Sequence, residues 1–147
     1  MKSHFVCVMI YRMNPEKGEY EFLVIESVST HPVTGLKSEK QTKFPGGMNR
    51  IPDESVGLTG QREVLEETHL AFTRFEKIWE KQVSEDHAKY GLLVRFEDCR
   101  GERRTEMLVD NGDEMSPPDW VPLSTLKWNL FPGHQPALLA AMEYLGI

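Results

Sequence analysis

The chain has 147 residues, of which 17 are Lys or Arg and 23 are Asp or Glu, so its formal net charge is −6. This length corresponds to one domain, residues 1–147, and a hydrophobic fraction of 39% excludes an extensively disordered chain. The acidic balance and the lack of a Lys/Arg-rich run exclude duplex nucleic acid and anionic membrane as main partners, because clustered cations hold both.

The N-terminal segment is predicted to form a β-hairpin. Both alternating sets of side chains in Phe5–Tyr11 are apolar, which predicts a strand covered on both faces, as in a sheet between helices. This run is too short to span a membrane and lacks a small-residue cleavage site. The turn over residues 14–18 leads to a second predicted strand, Tyr20–Ile25. Residues 27–43 are polar and contain Pro and Gly, so they are predicted to form a long loop.

A helix is predicted after this loop. It begins at Asp53 or Ser55, both acceptable N-caps, and continues to Thr68. Gly57 and Gly60 each cost about 1 kcal/mol relative to alanine inside a helix. We therefore expect this helix face to pack closely on the sheet, where a Cβ atom would not fit.

The C-terminal half is predicted to contain three further strands and a helix. Strands are expected over residues 72–83 and 90–97, followed by a polar loop over residues 98–118 and a short edge strand at Trp120–Leu123. The final helix is predicted over residues 136–145, with an apolar stripe of Leu138, Leu139, Met142 and Leu145.

The predicted central helix carries a crowded group of carboxylates. Glu63, Glu66 and Glu67 are spaced so that they share one side of a single turn, and Arg62 alone cannot neutralise three anions. A divalent cation could, and hard oxygen ligands favour Mg²⁺ or Mn²⁺ over zinc. Taken alone, such a turn is more often a solvated face. The turn at Gly46–Gly47 adds a backbone that can approach a ligand and a carbonyl that can coordinate a metal.

The stretch from Gly47 to Leu70 resembles the Nudix box, which ends in the pattern Arg-Glu-aliphatic-any-Glu-Glu-any-Gly-aliphatic. Six residues, not the family's five, separate Gly47 from Glu54, so either Asp53 or Glu54 takes the first acidic position. The final glycine of the box is His69 here; if the helix ends in a left-handed conformation, this costs on the order of 1 kcal/mol. The matching residues are Arg62, Glu63, Val64, Glu66, Glu67 and Leu70, and residues 44–47, 119–126 and 131–134 resemble further landmarks of the family.

The resemblance implies a fold and an activity. The fold is expected to be α/β, an α/β/α sandwich with a mixed β-sheet. The activity is expected to be divalent-metal-dependent hydrolysis of a nucleoside diphosphate linked to another moiety, with a nucleoside triphosphate or related small nucleotide as substrate. The alternative is a nucleotide-binding module of the same fold with weak or no turnover, because fold does not fix function.

The resemblance also implies roles for individual residues. Glu63, Glu66 and Glu67, with the Gly47 carbonyl, would hold Mg²⁺ or Mn²⁺, and Arg62 would orient one of these carboxylates by a bidentate contact. Catalysis would involve Glu63 and Glu67. The general base would come from the box, with Glu63 as candidate, or from the acidic loop, where the candidate is Glu114 unless that loop is only a solvated turn.

Substrate contacts and cellular context complete the expectations. Lys43 and Gly46 are the candidates for binding substrate. Cys7 and Cys99 have no metal-binding or disulfide spacing, which predicts reduced thiols and a cytoplasmic location. The oligomeric state is left open and includes a homodimer.

Overall fold

The fold is built on a mixed β-sheet with helices on both faces, described by a computed structural model for residues 2–147. This confirms the predicted α/β class and the α/β/α sandwich. The strands are β1 (Ser3–Asn14), β2 (Glu19–Ser29), β3 (Gln41–Lys43), β4 (Gly46–Met48), β5 (Glu76–Ser84), β6 (His87–Arg95), β7 (Leu108–Asp110), β8 (Asp113–Met115) and β9 (Asp119–Pro122). The α-helices are α1 (Val56–Thr68), α2 (Leu123–Asn129) and α3 (Gln135–Leu145).

Strand β1 lies at the centre of the sheet. It runs parallel to β6 and antiparallel to β2, and the sheet order is β5-β6-β1-β2-β8-β7. The short strand β4 pairs with the first half of β1, where Val6 lies opposite Gly47. The later part of β2 pairs with β3 and β8. These pairings bring β4 and β8 toward the same region as the start of β1.

The two faces of β1 belong to different cores. Cys7 and Met9 pack into the core that contains residues of α2 and α3, whereas Val6 and Val8 pack into the core that contains Val64 of α1. All four side chains are at most 1% exposed. The prediction of a strand covered on both faces is confirmed, because the alternation of a strand sends equally apolar side chains to both layers.

Helix α1 begins and ends as polar capping rules predict. The Ser55 hydroxyl accepts a hydrogen bond from the Leu58 N–H, so Ser55 is the N-cap and Asp53 is not. His69 ends the helix with φ 68°, and its N–H donates to the Leu65 carbonyl. The expected left-handed end at a residue other than glycine is therefore confirmed, at a cost of about 1 kcal/mol.

The two glycines of α1 face different neighbours. A Cβ on Gly60 would lie 2.8 Å from Leu92 Cδ1 and 3.2 Å from Val8 Cγ2, which confirms the close packing of helix on sheet. A Cβ on Gly57 would instead lie 2.7 Å from the ring of Phe75, which precedes β5, so the sheet expectation was wrong for Gly57.

Several predicted boundaries were wrong because pairing and packing, not local propensity, decide them. Strand β2 extends to Ser29 and residues 41–43 pair with it, so the loop over 27–43 is shorter than expected. Phe72 packs into the core beside α1, and its strand begins only at Glu76. The predicted strand at 90–97 begins earlier, at His87, and ends at Arg95, where a 3₁₀ turn follows.

The C-terminal third also differs from the prediction. The polar segment 98–118 contains the β7–β8 hairpin. Leu123 begins α2 and does not belong to β9, and Leu139 on α3 is 62% exposed because Ala137, Leu138 and Ala141 face the core. Both cysteines are free thiols. None of the helices within residues 2–147 has the length and apolar character needed to cross a bilayer.

Candidate active site

Strand β4 brings two consecutive glycines against two carboxylates of α1. The Gly46 N–H donates to Glu67 Oε1 over 3.0 Å. Gly47 lies so close to Glu63 that a Cβ atom would be 2.4 Å from the carboxyl carbon. On the other side, a Cβ on Gly46 would be 2.1 Å from the Val6 carbonyl oxygen of β1. Only glycines fit between the sheet and these carboxylates without displacing something.

Arg62 is the centre of the hydrogen-bond network at this site. Its Nε and Nη2 donate to the two oxygens of Glu54 over 3.2 and 2.8 Å, and its Nη1 donates to Glu63 Oε1 over 2.8 Å. Nη2 also donates to the Met48 carbonyl over 3.0 Å. The bidentate contact is therefore to Glu54, whereas the sequence had suggested one of the three helix glutamates; Glu63 receives a single hydrogen bond.

Of the two candidates for the first acidic position, Glu54 is the one that contacts Arg62. Glu54 is largely buried and contacts Arg62, whereas Asp53 is exposed. The hydrogen bonds from Arg62 lower the pKa of Glu54 to about 2, with Thr59 adding a further hydrogen bond. These contacts favour the ionised form of Glu54, which accepts hydrogen bonds and donates none. The extra residue before Glu54 is absorbed in the irregular segment between β4 and α1.

Glu63 and Glu67 are carboxylates held in places that disfavour negative charge. Burial raises the pKa of Glu63, against the opposing hydrogen bond from Arg62. Burial raises the pKa of Glu67 to about 8, because the Gly46 N–H only partly offsets it and the charges of Glu63 and Glu66 add to it. Within residues 2–147, Glu67 forms no ion pair with Lys or Arg. Its charged form, with one hydrogen bond and no ion pair, would be stabilised by a bound cation.

The donor set fits a hard divalent cation. Glu63, Glu67 and the Gly47 carbonyl are oxygen donors on adjoining elements, and Glu66 lies on the same helix turn. Glu66 is paired with Arg50 over 2.6 Å. Within residues 2–147, no three His, Cys, Asp or Glu side chains converge on one point. An arriving cation would therefore compete with Arg50 and Arg62 for the carboxylates.

A cavity of about 510 Å³ opens beside this carboxylate cluster. Glu67 and Gly46 line it on one side, and Lys43 lines it with its ammonium 4.9 Å from the centre of the Phe131 ring. Aromatic rings form much of the remaining wall, namely Phe5, Phe44, Trp79 and Phe131. Lys43, Gly46 and Glu67, predicted separately from the sequence, thus share one cavity.

Glu114 lies apart from this cavity wall. It is on β8, where its neighbours Asp113 and Met115 line the cavity and Glu114 points the other way, into an ion pair with Lys37 of 3.2 Å. Adjacent residues of a strand face opposite sides, which explains the separation. Asp113 is the acidic residue of this hairpin that faces the cavity, and the sequence pattern did not distinguish it from Glu114.

Two further interactions support the site and were not expected from the sequence. Thr59, which is fully buried, donates its hydroxyl proton to Glu54 over 2.7 Å and lies 2.7 Å from His4 Nε2. Arg104, which is 4% exposed, donates to the backbone carbonyls of Glu67 and Ser116 and so ties the end of α1 to the end of β8. Neither residue has a sequence signal, because a single Thr in a helix or Arg in a loop is ordinary.

Solved structures with the same fold are numerous at low sequence identity. A MutT NUDIX hydrolase from Burkholderia pseudomallei is 20% identical, with a TM-score of 0.67 over 95% of this chain and 98% of that one. The ORF135 protein of E. coli is 21% identical, with a TM-score of 0.65 over 97% and 91%. The NUDIX domain of Shewanella oneidensis NrtR, in complex with ADP ribose, is 19% identical, with a TM-score of 0.63 over 99% and 89%.

The sequence itself carries the family signature over nearly its whole length. No curated protein matches the chain at a significant level. A family model described as the NUDIX domain matches residues 3–141, which include the Gly46–Gly47 strand, the acidic helix α1 and the cavity wall described above. The chain therefore belongs to the NUDIX family of hydrolases, whose members generally use divalent metal ions.

Proposed function

We propose that this chain is a divalent-metal-dependent pyrophosphohydrolase that cleaves a nucleoside diphosphate linked to another moiety, with a nucleoside triphosphate or related small nucleotide as substrate. The observation that carries the proposal is the position of Glu67. Its poorly compensated carboxylate lies in the wall of an aromatic-lined cavity, beside Glu63 and the two glycines of β4. This arrangement would hold a cation at one end of a cavity that suits a nucleoside.

The residues that would hold the ion are Glu63, Glu66 and Glu67, with the Gly47 carbonyl. Oxygen donors of this kind suit Mg²⁺ or Mn²⁺. When bound, such an ion neutralises a diphosphate and makes water a better nucleophile. Arg62 keeps Glu63 oriented through its Nη1 hydrogen bond, while its two contacts to Glu54 fix the guanidinium.

Lys43 and Gly46 would contact the substrate. The Lys43 ammonium lies at the cavity wall and can meet a phosphate oxygen of a nucleotide whose base occupies the aromatic part. Gly46 leaves the backbone of β4 open to the cavity next to Glu67. The nucleotide would therefore lie with its phosphates toward α1 and Lys43 and its base toward Phe5 and Phe44.

The general base would be a carboxylate close to the phosphates. Glu63 and Glu67 both meet that condition, because they lie beside β4. Glu114 remains the candidate from the acidic loop, and its action would require the Lys37 ion pair to open and the β8 segment to turn.

The proposal is tested by phosphate release from a nucleotide panel with Mg²⁺ or Mn²⁺, with pyrophosphatase added to detect diphosphate. We expect metal-dependent turnover of at least one nucleotide, abolished by chelation. Single Glu63→Gln, Glu67→Gln and Glu114→Gln variants then test the three candidates, and the metal concentration for half-maximal activity separates the loss of a metal ligand from the loss of the base. Near-normal turnover by Glu114→Gln would remove that residue from catalysis.

The same panel separates an enzyme from a nucleotide-binding module. A binder would be stabilised against heat by a nucleotide and would release no phosphate from any member of the panel. The pairing of Glu66 with Arg50 favours this second function, because it occupies one of the expected metal ligands. Turnover that is lost in the Glu66→Gln variant would exclude the binding module.

A further inference from the structure

The cavity contains one buried histidine that the proposed hydrolysis does not use. His134 is 5% exposed, lies just before α3, and lines the cavity. Its ring is nearly parallel to that of Phe44, with 5.8 Å between the centroids, and meets Phe131 edge-on at 5.4 Å. Phe5 covers a further side at 5.8 Å. The imidazole is thus a polar group within an aromatic wall.

A backbone hydrogen bond fixes the tautomer of this imidazole. The Phe44 N–H points at His134 Nδ1 over 3.1 Å. A backbone N–H can only donate, so Nδ1 must carry the lone pair and the proton of the neutral ring must be on Nε2. A second proton would have to sit on Nδ1, against the Phe44 N–H. Burial and the nearby cations Lys43 and Lys89 agree with this, since they lower the pKa of His134 to about 4.

The Nε2–H of His134 is left without a partner. No residue in 2–147 accepts a hydrogen bond from it, and the one fully buried side-chain nitrogen or oxygen without a partner in that range is the Trp120 indole nitrogen. Nε2 therefore reaches open space, and the open space beside this ring is the cavity. The aromatic wall presents a fixed donor that cannot become an acceptor by changing tautomer.

The other polar groups of the cavity suit the same kind of ligand. Lys89 adds a donor close enough to His134 to affect its ionisation, so this part of the cavity favours an electron-rich acceptor atom. The carboxylate of Asp113 also lines the cavity. It is an acceptor suited to the ring N–H that accompanies a carbonyl in an oxo-type nucleobase.

We infer that His134 selects the nucleobase: its Nε2–H donates to an exocyclic oxygen, so the substrate carries an oxo base, such as a 6-oxopurine or a 4-oxopyrimidine, in preference to the amino counterpart. This inference rests on the proposed function, because it takes the occupant of the cavity to be a nucleotide. An amino group at that position would place donor against donor. It would leave the buried Nε2–H unpaired, which disfavours the amino base by about ten- to a hundred-fold.

The test compares matched nucleotides that differ at the reading position. Inosine triphosphate is paired with adenosine triphosphate, and uridine triphosphate with cytidine triphosphate. For each pair that the enzyme hydrolyses, we expect kcat/KM to be at least about ten-fold higher for the oxo member. A ratio within about twofold in every hydrolysed pair, or a preference for the amino member, would overturn the inference.

A single substitution isolates the Nε2–H. In His134→Asn, the side-chain Oδ1 can replace Nδ1 as acceptor for the Phe44 N–H. The Nδ2 amide still donates, but it takes the place of ring Cδ2 and does not reach the position of Nε2, so we expect the ratio to fall below about threefold. The matched control is His87→Asn, a histidine that also lines the cavity but whose Nδ1 is 2.7 Å from the Ser3 hydroxyl. It should leave the ratio unchanged. An undiminished ratio in His134→Asn would also overturn the inference.

Binding without turnover separates this inference from the proposed function. Thermal protection by inosine and by adenosine needs no metal and no hydrolysis. Selective protection by inosine, abolished in His134→Asn, in a protein that hydrolyses no nucleotide would sustain the base selection and refute the hydrolase. Hydrolysis without base preference would support the hydrolase and refute the base selection.

Discussion

Replacing Gly47 by alanine tests whether the site depends on the close approach of β4 to Glu63. The added Cβ would lie 2.4 Å from the Glu63 carboxyl carbon and 2.5 Å from Oε1, so the carboxylate must retreat by about 1 Å to reach an ordinary contact distance. The φ of Gly47 is not positive, so alanine introduces no backbone strain. A displacement of about 1 Å at a reacting group lowers activity by roughly 100-fold.

The assay is kcat/KM for the best nucleotide of the panel, together with the melting temperature. We expect the Gly47→Ala variant to lose roughly 100-fold in kcat/KM and to change the free energy of unfolding by less than about 1 kcal/mol, because only a flexible side-chain end must move. The adjacent Gly46→Ala variant is the contrast. Its Cβ would lie 2.1 Å from the Val6 carbonyl oxygen, part of the β1 backbone, so it should lower the melting temperature strongly. Activity of Gly47→Ala within about threefold of the wild type would refute the reasoning.

Three further predictions concern the surroundings of the site. Thr59→Val removes the hydroxyl that donates to Glu54 and should lower kcat about tenfold, whereas Thr59→Ser keeps the hydroxyl and should stay within about twofold of the wild type. Equal losses of kcat in the two variants, measured by steady-state kinetics, would contradict a hydrogen-bonding role. The pKa of His134 falls from 6.5 to about 4 on folding, so the unfolded chain takes up the proton first as the pH is lowered. The free energy of unfolding, measured in urea, should therefore decline between pH 6.5 and 4 by roughly 3 kcal/mol relative to the His134→Asn variant. Parallel pH curves for the two proteins would disprove this. Gly60→Ala should destabilise the protein by about 1–2 kcal/mol, because its Cβ meets the fully buried Leu92. The Cβ of Gly57→Ala meets the partly exposed Phe75, so this variant should stay within about 1 kcal/mol of the wild type. Equal effects of the two substitutions on thermal unfolding would reject this account.

Local sequence patterns were sufficient to predict the covering of β1 and the two ends of α1. The doubly apolar run of β1 predicted a strand covered on both faces, and Ser55 and His69 predicted the ends of α1. These predictions succeeded because a strand alternates its side chains and a helix end must satisfy its own backbone groups, whatever lies elsewhere in the chain.

Boundaries failed where a distant partner decided the outcome. Phe72 looked like the start of a strand but is taken into the core beside Val64, so β5 begins four residues later, where β6 can pair with it. Leu139 fitted an apolar stripe, yet the small side chains Ala137 and Ala141 face the sheet in its place. Apolar character does not reveal which of several faces a neighbour will cover.

The sequence by itself determined the acidic turn of α1, the paired glycines before it and the family to which they belong, because these depend on residue type and spacing along the chain. Only the tertiary structure decided that Arg62 makes its bidentate contact with Glu54, that Asp113 and not Glu114 faces the cavity, and that His134 offers a fixed donor there. Each of these depends on strand register or on a hydrogen bond between residues far apart in sequence, and a change of one position in register would turn the opposite face of β8 toward the cavity.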